Sequence, residues 1–146
     1  LRVGRFSQTV VSPLGSSDGS QNADSVQLAL SFEDGPRGLS GLLTGDGEKD
    51  ELAAELGRGD VGDVDFLKVG HHGSAVSLRE AEARALRREV SIASAGANYR
   101  YGHPRQECVD VLEKAGSAFL CTMDVGDVTV EPGELGPRVT TARAAA

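Results

Sequence analysis

An α/β fold is predicted by three features of this 146-residue sequence: short apolar runs that alternate with helical periods, connections of a few residues, and 19 glycines available for tight turns. The length suits one domain with one hydrophobic core. The elements read in the order ββαβαβαββ, with no internal repeat.

Residues 12–24 form a loop rich in Ser, Gly, Asn and Asp. Val26, Leu28, Leu30 and Phe32 then alternate with polar or small residues, the period of a half-buried strand. Leu39–Thr44 is a second strand, ending at Gly45 and Asp46, and Glu48–Leu56 a short helix with Leu52, Ala53 and Leu56 on one face. The strand Asp65–Val69 runs into Gly70-His71-His72-Gly73-Ser74. Ser77 with Glu80 reads as a capping box for a helix over Leu78–Arg88, followed by a strand over Val90–Ala95. Pro104 sits at a favoured first helical position. Cys108, Val111, Leu112 and Ala115 follow at helical spacing, and Gly116 closes the helix. Ala118–Thr122 and Asp127–Glu131 read as two last strands around a turn, with a frayed tail over 132–146.

The formal net charge of −7 argues against a generic basic cleft for nucleic-acid phosphates, though not against a site that meets phosphate through bound cations. No apolar run is long enough to span a bilayer, and no signal peptide opens the chain. Because residue 1 is Leu and not Met, the chain is expected to be processed or cut from a longer parent. Cys108 and Cys121 lack zinc-finger spacing and read as plain buried thiols.

The chemistry-bearing residues share one address. Asp46 ends one strand, His71 and His72 end the next, and His103 ends the loop after a third. Ligands of open α/β sheets collect at strand carboxyl ends. A carboxylate can bridge two divalent cations, and a neutral imidazole supplies a directional nitrogen. Two such metals can clamp the attacking and leaving oxygens of a phosphoryl transfer. Ser74 is placed to offer a hydroxyl to a phosphate oxygen. The expectation is geometric: these side chains should converge at one rim of a shared sheet.

Three segments carry a resemblance: Leu42-Leu43-Thr44-Gly45-Asp46, Leu67-Lys68-Val69-Gly70-His71-His72-Gly73-Ser74, and Asn98-Tyr99-Arg100-Tyr101-Gly102-His103-Pro104. In order and spacing they resemble the second half of the metallo-β-lactamase-like domain of ComEC-type competence proteins. Asn22-Ala23-Asp24-Ser25-Val26 and Asp124-Val125-Gly126-Asp127 resemble flanking segments of that family, so the likeness spans about residues 9–131. It implies the C-terminal half of an αββα sandwich, with residues 1–146 a partial domain.

By that resemblance Asp46, His71 and His72 are the catalytic set and a divalent metal, zinc or manganese, is the cofactor. Asp46 matches the bridging ligand, and one histidine of the 71–72 pair a second ligand. His72 is favoured, although sequence does not separate the two imidazoles. His71, Ser74, Asn98, Arg100 and His103 are then the candidates for contacting substrate. The implied role is degradation of one strand of DNA, single- or double-stranded, by a membrane-embedded parent that holds this domain outside the membrane. Two departures matter. Arg105-Gln106-Glu107 stands where the family continues His-Pro-Glu, and the His-x-His-x-Asp-His motif that opens a complete site is missing. The isolated chain is therefore expected to be inactive, with an exposed sheet face that favours self-association. Two other readings are a different hydrolase of the superfamily, such as a phosphocholine esterase or lactonase, and a non-catalytic scaffold.

Overall fold

A computed structural model describes residues 1–15, 19, 21–34, 36–97 and 100–144. Leu42, Leu67, Leu86 and Leu112 are essentially withdrawn from solvent, each contributing about 1.5–3 kcal/mol of burial. Around them a mixed α/β fold is built on a seven-stranded sheet. Its strands are β1 (Arg2–Val3), β2 (Phe6–Ser12), β3 (Gln27–Asp34), β4 (Arg37–Leu43), β5 (Phe66–Lys68), β6 (Val90–Ala93) and β7 (Ala118–Cys121), in sequence order across the sheet. β1 to β4 pair antiparallel, and β4 to β7 pair parallel.

Residues opposite one another in register share a sheet face. Thr9, Ala29, Leu42, Leu67, Ser91 and Phe119 form one such row. Onto this face pack α1 (Lys49–Arg58), α2 (Glu80–Leu86) and α3 (Gln106–Lys114), through Leu52, Ala83, Leu86, Cys108 and Leu112. The other face carries Val10, Leu28, Leu43, Lys68, Ile92 and Leu120. None of these six belongs to the core cluster, and Val10 is 51% exposed. The sheet is thus helix-covered on one side and partly open on the other.

The helices start and stop by local chemistry. Glu51 accepts the Glu48 backbone N–H at 3.0 Å at the head of α1, and Gly59 ends that helix at φ +76°. α2 begins later than the capping-box reading, at Glu80, with the Glu82 carboxylate accepting the Arg79 N–H at 2.8 Å. Ser77 does not cap it because its hydroxyl donates to the Gly70 carbonyl at 2.6 Å. Pro104 likewise precedes α3 by two residues instead of opening it.

Three expectations are corrected. In β3 the alternation holds but the helix-side face is the other one: Gln27 is fully buried and Val26 is 59% exposed. After β7 the chain forms a short helix α4 (Thr122–Val125), so β7 forms no hairpin with the next strand. Instead β8 (Val128–Glu131) pairs antiparallel with β9 (Arg138–Thr141), a strand inside the segment expected to fray.

Candidate functional site

The ends of β4, β5 and β6 meet at one edge of the sheet, where three loops are pinned together. Thr44 Oγ1 donates to the Lys68 carbonyl at 2.7 Å, tying the β4 and β5 ends. Gly45 sits at φ +53°, a conformation that favours glycine, and a Cβ there would press at 3.1 Å on Ser25 Cβ and on the Val26 carbonyl oxygen. Its carbonyl accepts both Lys68 Nζ at 2.9 Å and the His71 N–H at 3.2 Å. The Asp46 N–H donates to Ser25 Oγ at 3.1 Å. The carboxylate loop is therefore held from behind by Ser25 and from the side by Lys68.

His71 and His72 both lie in the left-handed region, at φ +44° and +55°. Non-glycine residues pay about 1–3 kcal/mol each for such conformations, which persist where surrounding contacts over-determine them. Those contacts are visible. His72 Nδ1 lies 2.6 Å from the Ser94 carbonyl oxygen, and its Nε2 faces Asp46 Oδ1 at 3.4 Å. His71 Nδ1 lies 3.0 Å from Glu48 Oε1, an oxygen that also accepts Asn22 Nδ2 at 2.9 Å. The Gly73 carbonyl accepts the Arg105 N–H at 2.8 Å, which draws the loop before α3 against the histidine turn.

His103 arrives on that loop. Its ring meets His71 edge-on, with centroids 5.5 Å apart, and Tyr101 at 6.1 Å. Burial, reinforced by His71, His72 and Arg105, holds the His103 pKa below the ordinary imidazole value, against the opposing pull of Asp46. Burial also lowers the Lys68 pKa, while Asp46 works to raise it.

Asp46, His71, His72 and His103 thus line one cleft of about 660 Å³, with Ser94, Tyr101 and Thr122 on its walls. The expected convergence is present. Ser74 is elsewhere: it is buried, its hydroxyl accepting the Val76 N–H at 3.3 Å, and it is not on the cleft wall. Arg100 is exposed, with its guanidinium 5.4 Å from the centre of the Tyr101 ring. Asn98 lies outside the described residues. Tyr101 on the cleft wall, and Glu48 and Lys68 behind it through their bonds to His71 and to the Gly45 carbonyl, were given no role by sequence reasoning. The one available signal was that Lys68 falls at a strand end beside the histidines.

A divalent metal finds two donors of suitable chemistry, the Asp46 carboxylate and His72 Nε2. The Ser94 carbonyl can only accept, so the proton of His72 sits on Nδ1 and Nε2 is bare in the neutral ring. Among the described residues no group of three or more His, Cys, Asp and Glu side chains is gathered closely enough to hold a metal ion. The chain fits two ligand positions and does not complete a shell, which for zinc usually has four members.

The sequence is similar to two curated proteins. ComE operon protein 3 of Bacillus subtilis (strain 168) is 38% identical over 119 residues, which is 82% of this chain and 15% of that protein. Recombination protein 2 of Haemophilus influenzae is 34% identical over 110 residues, 73% of this chain and 13% of that protein. The chain therefore spans only about a seventh of the length of these relatives. No family model matches it. Among the described residues no helix is long and apolar enough to cross a membrane.

Proposed function

We propose that this chain is the C-terminal portion of a metallo-β-lactamase-like domain in a longer competence protein of the ComEC type, and that the completed domain hydrolyses a phosphodiester of DNA during uptake. The observation that carries the reading is the facing of Asp46 Oδ1 and His72 Nε2 at the carboxyl end of a parallel sheet, with the far nitrogen of His72 fixed by Ser94. The likeness to ComE operon protein 3 supports the uptake setting. The open face of the sheet supports the half-sandwich, because a row of half-buried Leu28, Leu43, Ile92 and Leu120 suits a second sheet packed upon it.

In this reading Asp46 and His72 hold zinc or manganese, whose chemistry is to polarise a phosphoryl oxygen and supply a nucleophilic hydroxide. This chain's own residues do the placing. Ser25 and Lys68 fix the Asp46 loop, Ser94 fixes His72, and His71, His103 and Tyr101 border the space a phosphodiester occupies. The missing ligands come from the part of the longer protein that precedes this segment. That protein is anchored in the membrane, with this domain on its outer side.

The test compares two proteins on a single-stranded oligonucleotide with zinc or manganese. The longer protein should cleave it, and Asp46→Asn should reduce cleavage by more than about 100-fold, the upper range for disturbing a metal's outer partners. The chain alone should leave the oligonucleotide intact. Metal-dependent cleavage by the chain alone defeats the half-domain reading. A longer protein that hydrolyses only small esters is instead a phosphocholine esterase or lactonase, and a metal-free, inactive one a scaffold.

A further inference from the structure

Beside the facing Asp46 and His72, a second imidazole is clamped at the rear. Glu48 Oε1 stands 3.0 Å from His71 Nδ1, and Asn22 Nδ2 donates to that same oxygen at 2.9 Å. A carboxylate without a proton can only accept, so the hydrogen in the His71–Glu48 contact belongs to Nδ1. The amide orientation of Asn22 follows from the same logic, because only its NH₂ suits the carboxylate. Asn22 Nδ2 also lies 3.4 Å from Nδ1, a long contact that cannot outcompete the shorter, charge-assisted one.

Free neutral histidine prefers its proton on Nε2, so this tautomer is imposed by the protein. The left-handed backbone at His71, φ +44° and ψ +45°, shows that its main chain is also held in a strained conformation. His72, pinned through Nδ1 by Ser94, is its parallel.

We propose that Glu48, steadied by Asn22, is a positioning residue: it fixes His71 in the Nδ1–H form and turns a bare Nε2 toward the cleft. His71 then faces the cleft with a bare lone pair and gives no hydrogen bond to a phosphate oxygen. The purpose of the clamp rests on the hydrolytic reading above, but its existence does not. The Asn-x-x-Ser segment before β3 thereby has a role at both ends: Asn22 steadies the Glu48–His71 pair and Ser25 the Asp46 loop.

The experiment is long-range proton–nitrogen NMR on this chain with labelled histidine, followed to alkaline pH until the ring signals no longer move, so that tautomers are read on neutral rings. His71 should give the Nδ1–H pattern. Glu48→Ala should move it to the Nε2–H pattern of free histidine, and Glu48→Gln, whose carbonyl oxygen still accepts, should restore Nδ1–H. His72 should remain Nδ1–H throughout. An Nε2–H pattern for His71 in the unmodified chain overturns the inference without any variant having to fold. So does an unchanged pattern in Glu48→Ala. Because no cleavage is measured, a failed clamp and a failed hydrolase are told apart.

Discussion

Gly73 and Pro104 are packed so closely that a Cβ added at Gly73 would fall 2.8 Å from the proline Cβ. This contact joins the histidine turn to the loop that carries His103. Gly73 also sits at φ +82°, where a side chain is strained whatever the space. Gly73→Ala should therefore lose about 2–4 kcal/mol, adding backbone strain to overpacking. Gly57, within α1 and with nothing near its virtual Cβ, should respond oppositely, gaining about 0.5–1 kcal/mol on substitution by Ala. Urea unfolding of both variants checks the pair, and equal signs would contradict the packing described.

Glu55 is fully buried on α1, and both of its carboxylate oxygens lack a hydrogen-bond partner. Burial pushes its pKa up to about 7, with Arg58 opposing and Asp60 and Glu51 adding. The native state thus binds a proton that the unfolded chain releases from about pH 4.5, so stability should fall as pH rises from there to about 7. The full effect is about 3 kcal/mol. Glu55→Gln should flatten this part of the profile. Parallel urea midpoints for the two proteins between these pH values would show that Glu55 is ionised at no cost.

His103 should titrate below the ordinary imidazole value in NMR, since burial, with His71, His72 and Arg105 nearby, disfavours its charged form. With the folded pKa depressed, its contribution to stability is complete above the unfolded value of about 6.5 and is lost as pH falls below it. Asp46→Asn removes a neighbour that pulls upward, so the midpoint should move lower still. An upward movement would mean that Asp46 does not face this ring.

Both cysteines are buried, and burial pushes the Cys108 thiol up to about 11 despite Ser77 and Arg88. At about pH 8 its thiolate is near one part in a thousand. Alkylation of Cys108 in the native protein should therefore be slow and should accelerate with urea in step with unfolding. Rapid labelling of Cys108 without urea would place it at the surface.

The alternation of strands and helices from β3 to β7 was legible because helix-covered strands announce themselves by apolar runs and short connections. The phase of β3 was not. Leu28, Leu30 and Phe32 are apolar although they line the face without helices, so hydrophobicity alone pointed to the wrong side as core. β1, β2 and β9 were missed for a related reason. Phe6 and Val10 are 43% and 51% exposed, and an edge strand mixing Gln, Thr and Ser with valine carries a weak period. The convergence of Asp46 and the three histidines followed from their places at strand ends. Glu48 could not be found that way, because a glutamate at the head of a helix reads first as an end-of-helix charge.

Two adjacent histidines in left-handed backbone make this turn a spring wound for its task. Glycine at position 71 or 72 would relieve the torsion and is expected to yield a sturdier protein with a blunted cleft. Selection for thermal robustness alone would therefore erode this corner first.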